Sequence, residues 1–109
     1  MTKLALLLSV AAMSLGWHPR VAAADEVPTF EVNSICRGEA STDPDAGAMA
    51  SCMADEKAAR ETLVKDWATF AANAKTSCTQ EQTGGPVQSY VELLTCLQMA
   101  RDLRGLRKE

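Results

Sequence analysis

At 109 residues, with 47% hydrophobic and 23% charged content, the chain has material for one small domain and none for a second lobe with a cleft between the two. A net charge of −3 argues against a nucleic-acid binder, which carries a basic face or stripe. Aromatic content of 5% leaves little for a base-stacking platform or a carbohydrate-binding surface.

Residues 1–24 have the pattern of a secretory signal peptide. Lys3 supplies the positive leading region, Leu4 to Gly16 an apolar core, and Val21-Ala22-Ala23-Ala24 the small residues ahead of acidic Asp25 and Glu26. Cleavage after Ala23 and cleavage after Ala24 fit the pattern equally. The apolar run is shorter than the roughly 20 residues that span a bilayer, so no stable membrane anchor is expected after cleavage. No cysteine stands at the cleavage region to carry a lipid. Cleavage after Ala24 leaves 85 residues and removes Lys3, Arg20 and His18, the only histidine. Nine basic residues then face fourteen acidic ones, a net charge of −5. The expected location is periplasmic or secreted.

Residues 25–43 are expected to form an N-terminal arm and loop, and 44–109 a disulfide-stapled helical hairpin domain. Phe30, Val32 and Ile35 fit a short strand or a single helical turn, and Gly38 to Asp45 has loop composition. Asp43-Pro44 then reads as a helix start, Asp as N-cap and Pro as first helical residue. Met49, Cys52, Met53, Ala59, Leu63, Trp67, Phe70, Ala74 and Cys78 recur mostly at spacings of three and four, which predicts one long helix over 44–77. Gly47 weakens its first turn, moving the expected start towards Ala48. Thr83-Gly84-Gly85-Pro86 is a turn signal. Ser89-Tyr90-Val91-Glu92 is a capping box opening a second helix near Tyr90, and Arg101, Arg104, Arg107 and Lys108 suit its C-terminal end. The expected fold is all-α, an antiparallel helical hairpin with a short N-terminal arm, stapled by two disulfides.

The four cysteines, Cys36, Cys52, Cys78 and Cys96, contain no Cys-x-x-Cys, which removes the thioredoxin-like motif and most zinc-ribbon patterns. In an exported chain, wide spacing favours disulfides over a four-thiolate zinc site. On a continuous helix Cys52 and Cys78 would stand about 39 Å apart, far beyond disulfide reach. Of the two remaining pairings, Cys36–Cys52 with Cys78–Cys96 is preferred, because Cys78 and Cys96 flank the hairpin loop. The competitor, Cys36–Cys78 with Cys52–Cys96, needs a break in the long helix.

No catalytic, cofactor-binding or metal-ligating residue is expected. Without a histidine in the exported chain there is no Ser-His-Asp or Cys-His arrangement and no histidine-ligated metal. Gly84-Gly85 runs into proline and suits a turn better than a phosphate loop. Glu56 and Arg60 fit a helical i,i+4 ion pair beside the core. Met49, Cys52 and Met53, with Met99, offer soft donors of the kind a copper carrier uses, although methionines at helical spacing ordinarily fill a core. A thin hairpin cannot bury all of Trp67, Phe70, Tyr90, Leu93, Leu94 and Leu97. Trp67, Phe70, Tyr90 and Leu94 are therefore expected to form an interaction surface for a protein partner or a second copy. The function expected is non-catalytic: an exported binding or envelope-associated structural protein.

The run Cys52-Met53-Ala54-Asp55-Glu56, Ala59-Arg60, Leu63-Val64-Lys65, Trp67, Phe70 and Cys78, closed by Ser89-Tyr90-Val91-Glu92-Leu93-Leu94-Thr95-Cys96-Leu97, resembles a family of small exported proteins of rhizobia and related alphaproteobacteria. The likeness extends from Cys52 to Asp102, with Gln88 and Gln98 as departures outside the cysteine frame. That family carries no assigned activity, so the resemblance implies export and a cysteine framework and transfers no functional residue. A cysteine heading a helix that runs to an aromatic, as Cys52 runs to Trp67, is also similar to small periplasmic lysozyme-inhibitor-type domains. That likeness makes lysozyme inhibition an alternative expectation, resting on analogy alone.

Overall fold

The computed structural model describes residues 16, 26–42 and 47–108. The expected signal peptide, Gly16 apart, and the Asp43-Pro44 start signal lie outside the described residues. Among the described residues, four helices follow in order: α1 (Asn33–Thr42), α2 (Ala48–Asp66), α3 (Ala72–Gly84) and α4 (Tyr90–Arg107), with a 3₁₀ turn at Trp67–Thr69. There is no strand among the described residues. The fold is all-α with two disulfides, Cys36–Cys52 and Cys78–Cys96, whose Cα atoms stand 5.4 and 5.8 Å apart. Disulfides of this kind persist in oxidising compartments. Among the described residues, no helix is long and apolar enough to cross a membrane.

The single helix expected over 44–77 is two helices. After the 3₁₀ turn, Phe70 (φ −79°, ψ 146°) and Ala71 (φ −66°, ψ 141°) are both extended and reverse the chain. Thr69 Oγ1 donates to the Asp66 carbonyl at 2.7 Å and the Phe70 N–H to the Trp67 carbonyl at 3.3 Å, which satisfies groups freed by the break. Tertiary packing drives the reversal. A straight helix from Ala48 to Gly84 would be about 55 Å long, whereas the 18 residues of α4 cover about 27 Å. Folding at 67–71 lays both halves on α4 and turns Trp67 and Phe70 into one core.

Chain direction follows from the contacts. Glu56 of α2 meets Ser89 and Tyr90 at the head of α4, and Phe70, past the end of α2, lies under Arg101 near the other end. Thus α2 and α4 run the same way. Gln82 meets Glu92 and Cys78 is bonded to Cys96, so α3 and α4 form the antiparallel hairpin. Cys52 lies one turn before Glu56, just off the start of α4. There α1 packs on α2 and delivers Cys36.

The arm also differs from expectation. Phe30 and Val32 are neither a strand nor a turn of helix, and Gly38–Thr42, expected as loop, belongs to α1. Ser41 and Thr42 hydroxyls donate to the Gly38 and Glu39 carbonyls, and the disulfide holds α1 on α2 where its own propensity is weak. Phe30 enters the core with Ala59, Leu63, Trp67, Phe70, Cys78, Tyr90, Leu93 and Leu97.

Candidate functional site

The most enclosed polar cluster gathers at the head of α4. A helix begins with backbone N–H groups that lack intrahelical acceptors, and here three elements supply them. Ser89 is the N-cap, its Oγ accepting from the Glu92 N–H at 3.2 Å, as the capping box predicts. The reciprocal half of the box is rerouted. The Ser89 N–H donates to Gln82 Oε1 of α3 at 3.0 Å, and Gln82 Nε2 donates to Glu92 Oε2 at 3.3 Å. From α2, Glu56 accepts from Ser89 Oγ at 2.5 Å and from the Tyr90 N–H at 2.6 Å. Glu56 is only 3% exposed and Ser89 1%. A carboxylate at a helix N-terminus is also favoured by the helix dipole.

A serine bonded to a carboxylate invites a catalytic reading, and the geometry opposes one. Both Glu56 oxygens are engaged, no imidazole stands between the two groups, and solvent does not reach Ser89. Apart from the Ser89–Glu92 cap, every bond in the cluster ties α4 to α2 or α3. Its work is architectural: it fixes where α4 starts. The Glu56–Arg60 ion pair expected from spacing is absent among the described residues. Glu56 turns to α4, and the Arg60 guanidinium lies 6.0 Å over the Tyr90 ring.

The four residues expected to form an interaction surface are placed otherwise. Trp67, Phe70 and Tyr90 are buried and Leu94 is half-buried against the same core. Two helices alone would leave them exposed, and the break in the first supplies a third element to cover them. Tyr90 also stacks on Phe30, centroids 4.9 Å apart, and its phenolic oxygen accepts the Phe30 N–H at 2.7 Å. Lys75 and Arg101 cover the Trp67 and Phe70 rings at 5.5 and 5.2 Å. The soft-donor cluster does not assemble as a metal site. Cys52 is consumed by its disulfide, Met53 borders the groove beside Tyr90, and Met99 borders a different groove with Glu92 and Leu103.

The face left open is the outer side of α4. Met99, Leu103 and Leu106 are 60%, 59% and 68% exposed. At 100° per residue they fall within about 60° of arc, in line with Thr95 and Glu92, and opposite the core positions Leu93 and Leu97. Beside this stripe, Glu81, Glu92, Thr95, Met99 and Leu103 border a groove of about 530 Å³ between α3 and α4. Sequence reasoning named the basic residues of this helix and passed over its exposed apolar line. The signal was present as the three-four spacing Glu92, Thr95, Met99, Leu103, Leu106, opposite the core-facing set.

Comparison with known proteins returns no significant match, whether to a family model, a curated protein or a solved structure. The chain's own chemistry therefore carries the functional argument.

Proposed function

We propose that this is an exported, non-catalytic interaction module that works by protein contact through the outer face of α4. The observation that carries the reading is the exposure of Met99, Leu103 and Leu106 on a helix anchored at its head by Glu56 and cross-linked at Cys96. A line of three large apolar side chains in water is unfavourable unless covered, and contiguous apolar surface marks contact sites. Preorganisation adds to this, because a helix already fixed loses little entropy on binding. Export is supported by the leader pattern, by two disulfides and by the resemblance to small exported proteins.

Site-specific photocrosslinking in intact cells tests the reading. A crosslinker at position 103 is expected to yield a discrete protein adduct in the exported fraction, and one at exposed Glu61 on α2 is not. Absence of any adduct from position 103, or equal adducts from both positions, would contradict it. Mass spectrometry of the exported chain should give an N-terminus at Ala24 or Asp25; a chain still beginning at Met1 would contradict export.

A further inference from the structure

We infer that the groove between the 67–71 turn, the start of α3 and the last turns of α4 binds a phosphate monoester carrying an apolar body. The buried Leu93 and Leu97 set the core-facing line of α4. Arg101 and Arg104 continue that line, within about 40° of Leu97 around the helix. With Arg107 they line a groove of about 390 Å³ that reaches Phe70. This is a different side of α4 from the Met99 position, which stands about 140° from Arg104.

Two arginines on a line that otherwise carries leucines need a reason. Complementing the dipole of α4 accounts for Arg104 and Arg107 in its last turn, but Arg101 stands a turn earlier, where that effect has faded. The Arg101 guanidinium is held 5.2 Å over the Phe70 ring, which fixes one cation at the groove. None of the three arginines is in an ion pair among the described residues. No residue lining the groove is acidic; Asp66 does not reach it, and Asp102 sits about 140° around α4 from Leu97. The first turn of α3, which forms the facing wall, carries no acidic side chain either. Each guanidinium stays charged and presents a planar fork of donors matched to phosphate oxygens. Three of them suit the near-dianionic, three-oxygen end of a phosphate monoester better than a singly charged carboxylate. Ala74, Ala100 and Leu103 supply an apolar wall beside the arginines, and Asn73 an amide. The volume falls within the ~300–1,000 Å³ of small-ligand pockets.

NMR titration of the oxidised mature chain with hexyl phosphate, inorganic phosphate and hexanoate separates the contributions of head and tail. Hexyl phosphate should shift the Nε–H signals of Arg101, Arg104 and Arg107 and leave that of Arg37 on α1 unmoved. It should bind about tenfold more tightly than either inorganic phosphate or hexanoate, and more weakly as salt rises. R104Q/R107Q, which keeps the Arg101–Phe70 contact, should weaken it at least about tenfold, whereas R37Q should not. Intact mass and helical circular dichroism verify the fold of each variant. Vesicles of phosphatidylcholine with and without phosphatidic acid identify the source. Binding only to the phosphatidic acid vesicles assigns the groove to a lipid headgroup, and binding of hexyl phosphate without vesicle binding assigns it to a soluble monoester. No shift up to about 10 mM hexyl phosphate, or equal shifts at Arg37, would overturn the inference. So would hexanoate or inorganic phosphate binding as tightly as hexyl phosphate, or an R104Q/R107Q variant that is folded and binds unchanged.

Discussion

Glu56 and Tyr90, 34 residues apart in the chain, are joined by a 2.6 Å hydrogen bond from the Tyr90 N–H to Glu56 Oε2. The other carboxylate oxygen accepts from Ser89 Oγ, so one side chain of α2 receives both polar groups at the head of α4. Replacing Glu56 by Ala removes both acceptors and leaves a buried hydroxyl and a buried N–H unpaired. The expected cost is about 3 kcal/mol, against about 1.5 kcal/mol for Glu56→Gln, which keeps one acceptor. Urea denaturation of the oxidised protein measures both. Equal, negligible losses would show that the cluster does not hold α4.

Tyr90 reaches the other way, into the arm. Its phenolic oxygen is the acceptor for the buried Phe30 N–H, so Tyr90→Phe preserves the ring stack and orphans that donor. The variant should lose about 1–2 kcal/mol. Hydrogen exchange at the Phe30 amide should accelerate while the α4 amides beyond Leu93 keep their protection. Unchanged exchange at Phe30 would contradict the assignment.

Thr79 is the reverse case. Its Oγ1 is buried and lacks a hydrogen-bond partner among the described residues. Thr79→Val keeps shape and β-branching while removing an unmatched hydroxyl, and should raise stability by about 1 kcal/mol. A loss of similar size in thermal or urea unfolding would reveal a partner for that hydroxyl.

Glu31, ahead of α1, carries the pH-sensitive contact. Its carboxylate accepts from the Asn33 side-chain amide at 2.6 Å and from the Asn33 N–H at 3.2 Å, and its pKa is lowered, chiefly by the side-chain bond. A folded pKa below the unfolded one stabilises above the unfolded pKa, and that contribution is lost as pH falls through the folded pKa. NMR titration should place Glu31 below the ordinary glutamate range, and Asn33→Ala, which removes the largest of the lowering contacts, should raise it towards that range. An unshifted Glu31 in the parent protein would contradict the contact.

The readable features were those written in local chemistry. Ser89 with Glu92 marks the head of α4, Gly47 marks the entry to α2, and both disulfides pair as the helix geometry ranked them. The break at 67–71 was hidden. Trp-Ala-Thr-Phe-Ala contains no glycine or proline, and Trp67 and Phe70 keep helical spacing. They do so because both face one core whether the chain runs on or turns. The continuous helix behind that ranking is broken, yet Cys78 and Cys96 still flank the loop of one antiparallel hairpin, now α3 with α4. The roles of Glu56 and Gln82 were illegible for a different reason: Glu56 bonds a helix head more than thirty residues on, and Gln82 reaches it across the hairpin loop, at no spacing that a helix pattern records.

The central claim is that the buried carboxylate builds the protein while the outer face of α4 does its work. It is tested most directly by photocrosslinking from position 103 in Glu56→Gln, beside the parent protein and at equal exported amount. The account predicts lower stability in urea with an unchanged adduct and unchanged yield. A variant that keeps its fold and both disulfides yet loses the adduct would contradict it, because Glu56 would then belong to the working site.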